Sequence, residues 1–287
     1  MTYSSIVILS PGLLGGSIAL AVRERMPGVE IRVWARREES VRRVFEMGIA
    51  DAASTDAAAM AKGAGLILFC MPIGGMAEVA ERIIGTVGRE TLVTDVGSVK
   101  QPVVESLGKI FRGRAEFVGS HPMAGSEQMG LDAARTDLFQ GAVSFVTPEE
   151  GTPKETVEAV SKFWEKMGCR VKYATPRAHD EGVALVSHLP HLAAAALVQT
   201  VLRENPVALD WRGNGFLDTT RVASGPAAMW AEILVENREA VKKAINAMIE
   251  NLAELSKLLE AEDTRAVEHY LAGARLVRQR LKEKTIS

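Results

Sequence analysis

Cysteine is scarce in this chain: 287 residues hold two, Cys70 and Cys169, far apart and without metal-ligand spacing. That excludes a disulfide framework and a thiolate metal site, and the apolar neighbours of each fit reduced, buried thiols. A dominant charge is lacking as well. With 34 basic and 36 acidic residues, a net charge of −2 and no long block of one sign, the sequence has no electrostatic footprint for nucleic acid or an anionic membrane. No uninterrupted apolar run approaches the length of a membrane span. The first apolar run, residues 6–9, has no basic region ahead of it and is too short for the core of a signal peptide. Internal repeats and low-complexity tracts are missing too. The expected address is cytoplasmic, and the expected partner is a small-molecule substrate, with no nucleic acid and no membrane.

What is present is ordinary for a globular protein, 47% hydrophobic and 24% charged, with enough chain for two domains. Residues 6–9, 30–34, 65–71, 91–94, 115–118 and 143–146 read as strands, several apolar on both faces, separated by helical patterns. That order predicts a mostly parallel sheet with crossover helices on both sides. A helix over 154–167 and one more strand within 168–176 follow. Beyond Pro176 no strand signal remains and helical periodicities take over. The boundary therefore falls near Thr175, giving an α/β domain over residues 1–175 and an all-α C-terminal domain over 176–287. In the latter, Val241, Ile245, Met248, Leu252, Leu255 and Leu259 form a heptad-like seam. It suits either a helix packed within its own domain or a subunit interface, and makes a homodimer through the helical domain the expected assembly.

The stretch "SPGLLGGS", residues 10–17, follows the first strand. In a G-x-G-x-x-G fingerprint the first glycine permits the tight turn, the second lets backbone approach a pyrophosphate, and the third lets helix and strand pack closely. Gly12 and Gly15 hold the second and third places; Ser10 holds the first. A residue before proline favours extended geometry, so Ser10 is expected simply to prolong the strand and Ser10→Gly to be nearly silent. The helix beginning at Leu13 and Leu14 then offers free N–H groups to phosphate. A degenerate glycine turn is weak evidence alone, but here strand, turn, helix and second strand follow within a unit of roughly 30 residues. A Rossmann-type N-terminal domain is the expectation. NAD sites place a carboxylate at the end of the second strand; Ala35, Arg36 and Arg37 stand there instead. Unless those arginines are merely solvated, they suit a 2′-phosphate, so NADP is expected with NAD as the alternative.

Four further blocks occur in order: "DVGSVK" (residues 95–100), "GSHPMAGSEQMG" (119–130), "HDEGVALVSHLPH" (179–191) and "DTTRVASGPAAMW" (218–230). Together, behind a dinucleotide turn and across most of the chain, they resemble the prephenate/arogenate dehydrogenase family of tyrosine biosynthesis. Ser10 is the visible departure. The resemblance implies oxidative decarboxylation of a cyclohexadienyl ring, with hydride transfer to a nicotinamide. Prephenate is the expected substrate; arogenate, or use of both, is the alternative. No module follows the helical half, so a separate regulatory domain is not expected.

The resemblance assigns His121 as the general base, a task suited to a residue titrating near neutrality, and places it in a glycine-flanked turn after a strand. Ser98 is implied beside it as the second catalytic residue, although "GSVK" could equally make Ser98 a helix N-cap. Arg221 is implied as the ligand of a substrate carboxylate, which a planar fork of donors suits. His191, Glu127, Ser126, Asp218 and Trp230 complete the implied substrate side. Gly12, Leu13, Leu14, Gly15, Arg36, Arg37, Met71 and Pro72 make up the expected cofactor-binding set. His188 and His191 lack the glutamate of a zinc motif and flank Pro190, so no metal is expected and His188 is read as structural, bonded to nearby backbone. Two other readings remain: a different two-domain dehydrogenase, such as a β-hydroxyacid dehydrogenase or pyrroline-carboxylate reductase, and a non-catalytic NADP sensor. The joint presence of His121, Ser98 and Arg221 argues against the sensor.

Overall fold

Strand β1 (Ser5–Leu9) is buried along its whole length. Its alternating side chains feed two apolar layers: Ile6 and Ile8 face one with Ile18, Val22 and Trp164, while Val7 and Leu9 face the other with Ile67, Phe69 and Val79. Each fully buried aliphatic side chain contributes roughly 1.5–3 kcal/mol, so this strand anchors helices on both sides. This is a computed structural model, and it describes residues 3–125 and 128–283.

After β1 come α1 (Leu13–Arg25), β2 (Glu30–Trp34), α2 (Glu38–Glu46), β3 (Ala52–Ser54), α3 (Ala57–Ala61) and β4 (Leu66–Phe69). The chain continues through α4 (Met76–Ile83), β5 (Leu92–Asp95), α5 (Gln101–Phe111) and β6 (Glu116–Phe117). The six strands form one parallel sheet in the order β3-β2-β1-β4-β5-β6. This doubly wound order reverses direction between β1 and β4, the switch point at which such folds bind nucleotides.

The expected parallel sheet thus forms, with two additions. Strand β3 gave no apolar run to read. A second sheet also forms from β7 (Gly119–Pro122), β8 (Val143–Thr147) and β9 (Arg170–Tyr173), with α6 (Lys154–Lys166) between the last two. In it β7 runs antiparallel to β8, and β8 parallel to β9. His121 therefore lies on a strand, opposite Phe145, rather than in the expected turn. The cysteines are unpaired, and burial pushes both thiols upward, Cys169 to about 12.

Ser10 also departs from expectation. Its N–H does extend the ladder to the Trp34 carbonyl at 2.9 Å, but its φ is +86°, the conformation for which glycine is normally kept. The close approach below explains why: a Cβ on Gly15 would lie 2.2 Å from the Ser10 carbonyl oxygen. The turn must fold this tightly to bring α1 against β1, and proline's local preference is overruled.

The remainder is helical: α7 (Pro176–Val183), α8 (Leu189–Glu204), α9 (Asn214–Thr220), α10 (Ala227–Glu236), α11 (Arg238–Glu260) and α12 (Thr264–Glu283). By packing, the chain divides into units Met1–Arg238 and Glu239–Ser287. A π-helical turn, Ala184–His188, joins α7 to α8. It resets the hydrogen bonding ahead of Pro190, which then sits in the first turn of α8, where a missing N–H costs nothing. The resulting helix, Pro176–Glu204, has a mean hydropathy of 1.4 over its most apolar window. By length and composition alone it is long and apolar enough to cross a membrane, a test that the core helix of a globular protein also passes. The heptad seam lies on α11, where Val241 is buried whereas Leu252 and Leu259 are exposed.

Ser10→Gly is expected to gain up to about 1 kcal/mol, the relief of a positive φ less glycine's entropy cost. Gly15→Ala should lose about 1–3 kcal/mol by overpacking. Urea titrations will rank the two variants on either side of the parent; coincident midpoints would contradict the strained turn.

Candidate active site

The end of β5 fixes the floor of the site. Asp95 and Lys100 are fully buried and paired there. The Asp95 carboxylate also accepts the N–H groups of Gly97 at 2.7 Å and Ser120 at 3.1 Å, and the Lys100 ammonium donates to the Ser120 carbonyl at 2.8 Å. The Ser120 hydroxyl donates to the Asp95 carbonyl at 2.6 Å, meets Thr94 Oγ1 at 2.8 Å, and accepts from Trp164 Nε1 at 2.9 Å. These bonds hold β7, and with it His121, against the edge of the parallel sheet. Burial pushes the Lys100 pKa down, and the Asp95 charge pulls it back up.

Behind His121 stands a second polar chain. His121 Nδ1 lies 2.9 Å from His179 Nε2, and His179 Nδ1 lies 2.7 Å from Asp180 Oδ1. Asp180 in turn accepts the backbone N–H groups of Lys100 at 2.7 Å and Gln101 at 2.8 Å, which caps α5. That cap comes from α7, not from Ser98. Asn237 donates to the Asp180 carbonyl at 2.9 Å and meets His188 Nδ1 at 3.2 Å, so His188 is held by a side chain rather than by neighbouring backbone.

His121 lines a cleft of about 370 Å³ together with Ser98, His188, Arg221 and Trp230; Met229 and Ile233 supply apolar wall. Trp230 stacks on His191, with ring centroids 3.7 Å apart and planes 12° from parallel. His191 is itself buried, so it supports the wall from behind. Gly225 is needed beneath them, since a Cβ there would lie 2.6 Å from Trp230 Nε1. Asp218, on α9, is exposed and does not line this cleft. Ser126 and Glu127 lie outside the described residues.

A second cleft, of about 460 Å³, opens at the switch point. Gly12, Arg36, Arg37, Met71 and Pro72 line it, as does Arg43 from α2, which the sequence reading did not single out. Gly12 has no side-chain cap to offer α1, and a Cβ placed on it would meet nothing within 4 Å. That leaves room for a phosphate against the first N–H groups of α1. Leu13 and Leu14 pack against the core, so their backbone alone is available, and Gly15 is buried under Ser10. The residues present therefore fit a dinucleotide.

Comparison with known proteins agrees. The family model described as "Prephenate dehydrogenase, nucleotide-binding domain" matches residues 18–173, and the model described as "Prephenate dehydrogenase, dimerization domain" matches residues 175–273. The chain belongs to the prephenate dehydrogenase family. The prephenate dehydrogenase of Bacillus subtilis is 32% identical over 94% of this chain and 74% of its own. The crystal structure of prephenate dehydrogenase from A. aeolicus, in complex with hydroxyphenyl propionate and NAD+, superposes with a TM-score of 0.92 at 31% identity, covering 98% of this chain and 99% of that one. Synechocystis arogenate dehydrogenase superposes with a TM-score of 0.85 at 28% identity, covering 96% and 99%.

In this member of the family the site histidines are held neutral. Burial lowers His121 well below its usual pKa, and the neighbouring His179, Lys100 and His188 lower it further. Burial also lowers His179 and His191, and brings His188 to about 4. As pH falls from about 6.5 toward 4, the unfolded chain takes up protons that the folded one refuses, so stability is lost across that window. Urea midpoints at pH 7.5, 6 and 5 should fall in that order; a flat series would contradict buried neutral histidines. Asp95→Asn should cost about 3–5 kcal/mol, because it leaves the Lys100 charge buried without its partner. The same titrations measure that loss.

Proposed function

We propose that this protein oxidises and decarboxylates prephenate to 4-hydroxyphenylpyruvate, with His121 as the base. The observation that carries this reading is that His121, whose pKa burial lowers, lines the same cleft as Arg221, in a chain whose switch-point cleft is lined by residues that fit a dinucleotide. The A. aeolicus relative, bound to a hydroxyphenyl acid and NAD+, supports it.

The bound nicotinamide supplies the hydride acceptor. Everything else falls to side chains of this chain. His121 takes the proton of the ring hydroxyl, a transfer for which a buried, neutral imidazole is ready without prior deprotonation. Ser98, in the same cleft, orients that hydroxyl. Arg221 holds a substrate carboxylate, and Trp230, backed by His191, supplies a flat apolar wall for the ring. As the carbinol carbon gives up its hydride, the ring carboxylate leaves as CO2, its bonding pair completes the aromatic ring, and the ring oxygen recovers the proton from His121. Ser126, Glu127 and Asp218 are assigned to the substrate side by resemblance to the family. Arginines 36 and 37, with no carboxylate at Ala35, favour NADP; the NAD+ of the A. aeolicus structure favours the alternative. Arogenate is the second substrate reading, favoured by the Synechocystis relative.

The functional division we propose is a dinucleotide-binding domain over residues 1–175 and a substrate and dimerisation domain over 176–287. The family's dimerization model and the exposed Ile249, Leu252, Leu271 and Leu276 favour a homodimer, for which sedimentation should report the mass of two chains.

A steady-state assay of prephenate and arogenate, each with NAD+ and NADP+, tests the reading through the absorbance of the reduced cofactor. Prephenate turnover is expected; no turnover of either substrate would refute it. His121→Asn should lower kcat by about 10²–10⁴-fold with KM little changed. Arg221→Gln should chiefly raise KM, by roughly ten- to a hundredfold, the loss of a charge-assisted hydrogen bond.

A further inference from the structure

A histidine can act as a base only on the nitrogen that carries no hydrogen, and the residues behind His121 decide which nitrogen that is. The Asp180 carboxylate already accepts the N–H groups of Lys100 and Gln101. Toward His179, 2.7 Å away, it can likewise only accept, so the hydrogen of His179 sits on Nδ1. Wedged edge-to-face between the His121 and Phe145 rings, at centroid distances of 5.1 and 5.3 Å, His179 is shielded from water. A neutral His179 then presents the lone pair of Nε2 to His121 Nδ1, 2.9 Å away. His121 must donate there, and its Nε2 is left bare for the cleft. In water, neutral imidazole favours the opposite arrangement, with hydrogen on Nε2.

We propose that His179 and Asp180 are positioning residues that fix His121 in the Nδ1–H form and compensate the charge it gains during turnover. This rests on the reading of His121 as the base. When the substrate O–H bond breaks and the N–H bond forms at His121 Nε2, the imidazolium needs a nearby negative charge. Asp95 and Lys100 cancel each other, and Arg221 and His188 bring no negative charge. Among the described residues, Asp180 carries the carboxylate linked to the ring, and it is linked through His179.

The experiment uses full-length protein with 15N-labelled histidine. The chain has five histidines, and the His121 signals are assigned by their loss in His121→Asn. Long-range proton–nitrogen spectra at neutral pH should show His121 as Nδ1–H. His179→Gln can imitate both bonds, its amide N–H donating to Asp180 and its carbonyl accepting from His121. It should preserve the Nδ1–H form and keep kcat within about tenfold of the parent. His179→Leu keeps apolar bulk and offers no acceptor, so His121 should shift to Nε2–H while kcat falls by about 10²-fold or more with KM unchanged. An Nε2–H form in the parent, equal kcat for the Gln and Leu variants, or a loss confined to KM would each overturn the proposal. Should His179→Leu fail to fold, the parent spectrum and the Gln variant decide the matter. If the parent turns over neither prephenate nor arogenate, the functional reading fails while the tautomer is still read directly.

Discussion

The Asp95 carboxylate and the Lys100 ammonium meet at the end of β5, five residues apart in sequence and wholly out of water. Desolvating two such groups costs several kcal/mol each, which their attraction offsets only when every remaining hydrogen-bonding position is filled. Here the filling is done by the backbone of Gly97 and Ser120. The pair therefore acts less as a source of stability than as a constraint on position. It is satisfied only when β7 lies in one place against β5, and that place puts His121 in the cleft.

The same economy runs through the second polar chain. Asp180 satisfies two orphan N–H groups at the start of α5 while holding His179, so one carboxylate ties the Rossmann-type sheet to the first helix beyond it. Asn237 then links that helix to His188 at the cleft wall. Neutral histidines are the electrostatic consequence. Buried, with Lys100 close by, His121 rests in its basic form without needing a high pH.

Much of this was legible in the sequence, and the limits are physical. Strands such as β1 and β4, apolar on both faces and bounded by turn residues, can be read locally. β3 and β7, "AAS" and "GSHP", lack β-branched residues and become strands only because a neighbour offers them hydrogen bonds. Pairing direction leaves no local trace either, which is why β7, β8 and β9 were not foreseen as a separate sheet. In the site, the motifs drew attention to Ser98 and His121, whereas the residues doing most of the holding are the ends of one block, Asp95 and Lys100, and the start of another, His179 and Asp180. The available signal was their type: ionisable residues within otherwise apolar blocks have to find partners when buried. Which partners they find depends on contacts up to 80 residues apart in sequence, as between Asp180 and Lys100.

Ser10 shows why such long-range contacts win. Proline at the next position favours an extended residue, and serine has no special tolerance for positive φ. Yet the ladder bond to Trp34 on one side and the approach of Gly15 on the other leave no alternative path for the chain. A local preference worth about 1–2 kcal/mol cannot compete with the docking of a whole helix against a strand buried on both faces. The strain is confined to the point where the sheet reverses direction and a dinucleotide's phosphates would approach. There, surrounding structure over-determines the backbone, and that over-determination is the condition under which strain persists at functional sites. A serine in glycine's place is thus evidence that the turn's shape is imposed by packing.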